Sequence, residues 1–245
     1  MNILKALSNS HVCEQSQSET GCAQCGINGL VSDTKVLTQV GWRAVEMVRP
    51  GDRIQTFENG FQSVLQVDDH LIWHEPVDCP ECVCPFHVPK GAIGNNKAMI
   101  LPSDNKVVLK CNALIPVFGQ AHVLVNAQSL VEFAGVRRQD PPPKRRIYQL
   151  RFDKEEMVIV QGGAVVSCPT AHQFLDIFAG SGEVDYSVEM SRIPRLSDEQ
   201  ADAVISCIET ELAEQNRKGL PPLFESKSKM RVKARRFIRR GSAFV

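Results

Sequence analysis

Two closely spaced cysteine pairs are the residues of this sequence best suited to chemistry. One pair is Cys22 and Cys25, and the other is Cys79 and Cys82. A two-residue spacing lets both thiolates of a pair point at one ion while backbone amides hydrogen-bond the sulfurs. The pattern therefore predicts a tetrahedral structural zinc site with these four cysteines as ligands.

Two neighbouring side chains, Cys84 and His87, are alternates that could replace one of the four zinc ligands. A zinc ion held in this way would tie the N-terminal segment to the rest of the chain and add folding free energy, with no open position for catalysis. The competing interpretation is that the two pairs never meet and each is an incidental or redox-active dithiol. The long gap between the pairs means that only the fold can bring them together.

The nine cysteines form an odd count in a chain without an export signal. The apolar stretch at residues 1–8 is too short for a signal peptide, and no apolar run is long enough to cross a bilayer. We therefore expect a cytoplasmic protein without a transmembrane segment, in which cysteines stay reduced.

The remaining cysteines and histidines indicate structural roles. A lone histidine in a β domain is more often structural than catalytic, and a cysteine among apolar neighbours behaves as a small hydrophobic residue. The cysteines expected to be buried are Cys111, Cys168 and Cys207. The histidines without mutual ligand spacing are His70, His74, His122 and His172.

The net charge of zero conceals an uneven distribution, because residues 226–245 contain basic side chains and no acidic one. Such a basic tail could contact the phosphates of nucleic acid or an anionic membrane surface. The alternative is that it folds back on the acidic remainder of the chain. We favour this alternative, because the tail has neither base-reading aromatic residues nor a helix-turn-helix pattern.

The order of local signals predicts four segments. Residues 1–28 are a polar N-terminal arm, which contains too few apolar residues to order itself. Residues 29–180 form a β domain, because short strands alternate with tight turns such as 49–52 and 58–60 and no helical pattern intervenes. Residues 139–146 are too rich in proline and charge for a strand and are expected to form a surface loop. Strands are predicted over 34–38, 42–48, 53–57, 61–73, 99–101, 106–110, 121–125, 148–152 and 157–160.

A long helix is predicted over residues 196–219, ahead of the basic tail. Ser197 and Gln200 form a capping-box pattern, and Gly219 followed by two prolines ends the segment. The apolar residues recur on one face of this helix: Ala201, Val204, Ile205, Ile208 and Leu212.

A set of short motifs follows the chain in a recognisable order. The segment 29–38 alternates apolar residues, 41–46 ends in Val-Glu, and 48–60 contains Gly-Asp and a short turn. Related pieces follow at 92–109 and 122–162. In this order the motifs resemble bacterial Hint (Hedgehog/intein) domains. The resemblance implies a mainly β Hint-type fold of many short strands, followed here by the C-terminal α-helix.

The resemblance also implies an ancestral activity, which is intramolecular peptide-bond cleavage. In that family a thiol attacks the carbonyl of the preceding residue, and a histidine in a Thr/Ser-x-x-His segment protonates the departing amide nitrogen. The position that matches the nucleophile is Gly29, and the segment 102–105 ends in Asn105 instead of histidine. The resemblance therefore implies that the catalytic positions are degenerate.

Three functions follow from these observations. The first is a Hint pseudoenzyme that acts as a binding or scaffold module for a protein partner, with structural zinc. The second is an active self-cleaving domain, in which Cys25 or Ser32 would act at a different bond. The third is a zinc-containing nucleic-acid-binding protein that uses the tail at 226–245 and would bind with a steep salt dependence.

Overall fold

The computed structural model describes residues 28–72, 83–142, 144–171 and 192–218. Within these ranges the chain forms many short strands in three sheets and one long helix near its C-terminal end. The predicted mainly β fold with a C-terminal helix is therefore confirmed. The strands are β1 (Leu30–Val31), β2 (Lys35–Thr38), β3 (Gly41–Ala44), β4 (Arg53–Thr56), β5 (Gly60–Ser63), β6 (Gln66–Leu71), β7 (Phe86–Val88), β8 (Met99–Leu101), β9 (Lys106–Lys110), β10 (His122–Asn126), β11 (Arg137–Arg138), β12 (Arg146–Arg151), β13 (Glu156–Ile159) and β14 (Val165–Cys168).

Two helices accompany the strands in the described ranges. The short helix α1 spans Ile115–Phe118, and the long helix α2 spans Asp198–Lys218. Among the residues that the structure describes, no helix is both long enough and apolar enough to cross a bilayer.

The largest sheet has eight strands in the order β10-β9-β14-β13-β4-β2-β3, with β5 paired to β4. Its middle strands are covered on both faces. In β9, Val107 and Leu109 lie in the main core, while Val108 lies in a second cluster on the opposite face with Leu124 and Met157. Burial on both faces explains why β9 is a continuous apolar run rather than an alternating one.

Two three-stranded sheets, β1-β12-β6 and β11-β7-β8, complete the fold. Residues of both contribute to the same core as the large sheet, including Leu30 from β1, Leu150 from β12 and Phe86 from β7. The chain therefore buries one main hydrophobic cluster among all three sheets, and this cluster fixes their relative positions.

The strand predicted over residues 61–73 is wrong as one continuous element. It is two strands, β5 and β6, which belong to different sheets. Val64 donates its amide to Asp52 at 2.9 Å, whereas Leu65 donates to the carbonyl of Arg151 at 2.8 Å. The backbone changes pairing partner between these two residues, which is a tertiary effect that the apolar pattern does not contain.

The strand predicted over residues 42–48 is too long. β3 ends at Ala44, and Val45–Met47 forms a single 3-10 turn. This turn buries Val45 and Val48 in the core, while Met47 stays 58% exposed. A strand continuing through residue 48 would place residues 45 and 48 on opposite faces, whereas the turn allows both side chains to be buried in the core.

The long helix begins as predicted. Gln200 donates its backbone amide to Ser197 Oγ at 3.3 Å, and Ser197 donates its amide to Gln200 Oε1 at 3.0 Å, which is a complete capping box. Along the helix, four of the predicted apolar positions are buried: Ala201, Val204, Ile205 and Ile208.

The prediction that Cys207 is buried is wrong, because its side chain is exposed on α2. Adjacent helical residues point about 100° apart, so the neighbour of a buried residue need not be buried. The buried stripe of Val204 and Ile208 leaves Cys207 at the side of the helix that faces away from the core.

Replacing Ile208 with alanine tests the docking of α2. Ile208 is completely buried, so Ile208→Ala should lower the free energy of unfolding by about 2–5 kcal/mol. The matched control is Cys207→Ala on the adjacent exposed residue, which should change it by less than about 0.5 kcal/mol. Denaturant titrations of both variants give the comparison, and equal losses would contradict this packing.

Candidate functional site

Gly29, which the sequence resemblance aligns with the nucleophile of the family, lies immediately before β1. β1 pairs antiparallel with β12, so that Leu30 lies opposite Tyr148. The backbone of Gly29 has φ of 140°, and a Cβ added to it would lie 2.6 Å from the carbonyl oxygen of Tyr148 and 2.8 Å from Cγ2 of Ile147. In this backbone conformation the position accepts glycine and excludes a cysteine side chain.

Asn105 lies in the turn that precedes β9, and its side chain is buried. Its Oδ1 accepts a hydrogen bond from the amide of Gly29 at 2.7 Å, and its Nδ2 donates to the carbonyl oxygen of Gly29 at 2.7 Å. The two positions that the resemblance identified are therefore in direct contact, although 76 residues separate them in the chain.

The chemistry of this contact follows from its donors and acceptors. Cleavage by an acyl shift needs a thiol or hydroxyl beside the preceding carbonyl and an acid that protonates the amide nitrogen. Gly29 has no side chain that could act as a nucleophile. The Oδ1 atom of Asn105 accepts a hydrogen bond from the Gly29 amide and has no proton to donate to it. The contact satisfies both backbone groups of Gly29 and supplies neither catalytic function.

A chain of hydrogen bonds holds the residue before Gly29. Gln149 Nε2 donates to Asn28 Oδ1 at 2.6 Å, and Arg151 Nη2 donates to Gln149 Oε1. Arg151, whose side chain is only 6% exposed, also forms an ion pair with Asp68 at 2.9 Å. Sequence patterns did not identify these residues, because their roles arise from the pairing of β12 with β1 and β6.

Burial alone would raise the pKa of Asp68, but hydrogen bonds from Arg151 and Gln66 and the charge of Arg151 outweigh it. The pKa of Asp68 is therefore lower than usual. Ionised Asp68 stabilises the folded state, and the neutral acid does not.

Two of the histidines that the structure describes, His70 and His122, lie in different settings. His70 is exposed on β6, and His122 packs its ring edge-on against Phe57 at a centroid distance of 5.0 Å. Burial lowers the pKa of His122, and the charge of Lys110 lowers it further. His122 is therefore neutral near pH 7, as suits a structural residue. The Nδ1 atom of His87 is buried without a hydrogen-bond partner.

The cysteines divide into described and undescribed groups. Cys111 and Cys168 are buried as predicted, and burial raises the pKa of both thiols, so they are poor nucleophiles. Cys84 is also buried. Among the described residues, no three Cys, His, Asp or Glu side chains are grouped closely enough to hold a metal ion. The four predicted zinc ligands lie outside the described residues: Cys22, Cys25, Cys79 and Cys82.

A groove of about 200 Å³ opens elsewhere on the surface, and neither Gly29 nor Asn105 lines it. The Gly29–Asn105 contact is thus a closed, buried arrangement and does not lie at this groove. The groove is lined by Arg53, Phe61, Gln62, Ser63, Leu65, Phe152, Asp153, Lys154 and Glu156.

Comparison with known protein families establishes the family of this chain. Residues 28–170, more than half of the chain, match the Hint domain. The chain belongs to the Hint domain family. The resemblance seen in the sequence motifs is therefore confirmed, and the Hint domain begins within one residue of Gly29.

Solved structures of intein-like proteins are similar to this Hint domain at low identity. A bacterial intein-like domain from Clostridium thermocellum is 15% identical, with a TM-score of 0.37, over 57% of this chain and 98% of that one. A splice-inactive, GSH-linked variant of the AceL NrdHF class 3 split intein is 11% identical, with a TM-score of 0.37, over 59% and 99% of the respective chains. No curated protein matches the sequence.

Removing the Asn105 side chain tests its structural role. Asn105→Ala leaves the amide and carbonyl of Gly29 without partners, at a cost of about 1–3 kcal/mol for each group. The matched control is Asn126→Ala, because Asn126 donates a hydrogen bond to Asp198 in an exposed setting and should contribute less than about 1 kcal/mol. Equal losses of unfolding free energy would contradict the assignment.

Removing the carboxylate of Asp68 tests the hydrogen-bond chain. Asp68→Ala should lower the unfolding free energy at pH 7 by about 1.5–3 kcal/mol, because the nearly buried Arg151 loses a charged partner. Since the folded pKa of Asp68 is lowered, its contribution is complete above about pH 4 and disappears as pH falls through the folded pKa. The difference between variant and wild type should therefore shrink below about pH 4.

The adjacent residue supplies a control for that experiment. Asp69 pairs with Arg146 in a more exposed position, with the two side chains 46% and 41% exposed. Asp69→Ala should therefore cost less than about 1 kcal/mol at every pH. A larger loss for Asp69→Ala than for Asp68→Ala, measured by denaturant titration, would contradict the role given to Arg151.

Proposed function

We propose that this Hint domain does not cleave its own chain and acts as a binding or scaffold module. The observation that carries the proposal is the paired hydrogen bond between Asn105 and the backbone of Gly29, at 2.7 Å on each side. Self-cleavage would require a nucleophile and an acid at these positions, and the chain has a glycine and an amide there.

The space around Gly29 supports the same proposal. A cysteine at residue 29 would place its Cβ within 2.6 Å of a backbone oxygen of β12. Restoring the nucleophile alone would therefore require β1 and β12 to move apart. This packing supports a domain in which the former cleavage position has become part of the sheet contact.

Ser32 is a poor substitute nucleophile in this arrangement. Its amide donates to the carbonyl of Arg146 at 2.9 Å, and its hydroxyl oxygen accepts from the amide of Arg146. Both groups take part in the end of the β1–β12 pairing. The other candidate, Cys25, lies outside the described residues and would act four residues before Gly29.

We propose a protein rather than a nucleic acid as the partner. The hairpin of β2 and β3 exposes Val40 by 82% and Trp42 by 46%, and aromatic side chains are enriched at protein interfaces. The nucleic-acid hypothesis rests on residues 226–245, which lie outside the described part of the chain. Salt-dependent binding that disappears on removal of that segment would support the nucleic-acid alternative instead.

A structural zinc ion, held by reduced cysteines, is part of the proposal. The cysteine spacing supports it, and the ion would add folding free energy without taking part in catalysis. The zinc proposal does not depend on whether the domain cleaves itself, because cysteines that hold a zinc ion in a closed four-ligand site are not available as nucleophiles.

The proposal is tested by the intact mass of the full chain under denaturing conditions. Purified protein should keep its full-length mass after prolonged incubation with excess small thiol, which would trap a thioester if one formed. Cys25→Ala and Ser32→Ala should have the same outcome as wild type. Shortening near residues 25–32 that either variant abolishes would overturn the proposal and establish the self-cleaving alternative.

A further inference from the structure

Cys111 has an acidic partner on the C-terminal helix. It directly follows β9 and is completely buried. Its thiol donates a hydrogen bond to Oε1 of Glu211 on α2, with a sulfur–oxygen distance of 3.8 Å. The same oxygen accepts the backbone amide of Ala113 at 2.9 Å. Glu211 therefore holds α2 against the segment that contains Cys111.

A second cysteine lies one helical turn from Glu211. Cys207 precedes Glu211 by four residues, and residues four apart are neighbours on the surface of a helix. Val204, one turn before Cys207, is buried in the main core. Both turns that flank Cys207 thus contact the domain, although the Cys207 side chain itself is exposed.

The two thiols lie close enough to influence each other. Burial raises the pKa of the Cys111 thiol, and the charges of Glu211 and Cys207 raise it further. Charges separated by more than about 8–10 Å are largely screened in salt solution, so the effect of Cys207 indicates that it lies near Cys111. A helical cysteine has two common χ1 rotamers, and a change between them redirects its sulfur.

We propose that Cys111 and Cys207 form a reversible disulfide bond when the protein meets a peroxide. The thiolate of Cys207 attacks one oxygen of hydrogen peroxide, which gives a sulfenic acid and a hydroxide that takes up the proton lost by that thiol. The sulfur of Cys111 then attacks the sulfur of Cys207. The S–O bond breaks, and the hydroxyl group leaves with the Cys111 thiol proton as water. Two thiols are oxidised to one disulfide, and one peroxide is reduced to two waters.

The order of these steps follows from the exposure of the two side chains. The oxidation of a cysteine depends on its thiolate character and its access to solvent. Cys207 is exposed and meets the dissolved oxidant, whereas Cys111 is completely buried. Cys111 is therefore protected from peroxide and acts as the resolving thiol.

The disulfide fastens α2 to the Hint domain. Cys111 lies within residues 28–170, which match the family, whereas α2 begins at Asp198, after that match. The bond closes a long loop, so it restricts the unfolded chain and stabilises the folded one. Docking of the helix thereby becomes sensitive to oxidant. This inference goes beyond the proposed function and does not depend on the absence of self-cleavage.

Peptide mapping of the full chain tests the proposal. The reduced protein is freed of reductant, treated with hydrogen peroxide and alkylated, and its monomeric fraction is digested with trypsin without reduction. Cys111 lies in the tryptic peptide 111–137 and Cys207 in the peptide 196–217, and neither peptide contains another cysteine. The two peptides should be recovered as one linked species, two hydrogens lighter than their sum, which dithiothreitol separates.

The fate of Cys207 in this map decides the outcome. A disulfide requires Cα atoms about 4.4–6.8 Å apart, so the linked species would itself establish that the two residues approach each other. Recovery of Cys207 as the alkylated thiol or as a sulfinic acid, without a link, would overturn the proposal. A bond from Cys207 to any other cysteine, in the same chain or in a second copy, would also overturn it.

Substitutions of single cysteines supply the matched controls. Cys207→Ser changes an exposed side chain and should abolish the linked species without changing the fold. Cys168→Ala removes a different buried thiol, on β14, and should keep the link. A cross-link of peptide 111–137 that persists in Cys207→Ser would contradict the proposed pair.

Denaturant titration measures the effect on stability. Peroxide-treated wild type should have a higher denaturant midpoint than the reduced protein, and dithiothreitol should reverse the shift. Cys207→Ser should show no shift after the same treatment. An absent shift in wild type, or an equal shift in Cys207→Ser, would show that the bond does not fasten α2.

Discussion

The contact between Asn105 and Gly29 is the constraint on which the rest of this structure depends. Buried backbone amides and carbonyls must be paired, and here one amide side chain pairs both groups of one residue. Because Gly29 leads into β1 and Asn105 leads into β9, the contact joins a small sheet to the large one. The shared core that includes Leu30 and Leu109 forms around this junction.

The same contact supports the proposal that this Hint domain does not cleave its own chain. A nucleophile beside β12 would need room that the close approach of Gly29 to Tyr148 removes. A protonated histidine at position 105 would offer two N–H donors and no acceptor for the Gly29 amide, whereas the Asn105 amide offers both a donor and an acceptor. Gly29 and Asn105 therefore suit each other, because the amide side chain pairs both backbone groups of a residue that has no side chain.

Pairing of buried polar groups also links this centre with β6, at the far edge of the small sheet that contains β1. Arg151 is nearly buried and is partnered by Asp68 and Gln149, which in turn hold Asn28. His87, by contrast, keeps a buried nitrogen unpaired. Within the described ranges, this nitrogen departs from the general pairing of buried side-chain polar atoms.

The sequence alone determined the features whose causes are local. Turn residues and alternation predicted strands such as β2 and β4, and the Ser197–Gln200 pattern predicted the start of α2. Only the tertiary structure decided that the chain changes sheets between Val64 and Leu65 and that Cys207 is exposed, because sheet pairing and helix docking depend on distant residues. The Gly29–Asn105 contact belongs to this second class: the motif order identified both positions, but their hydrogen bonds join residues 76 apart.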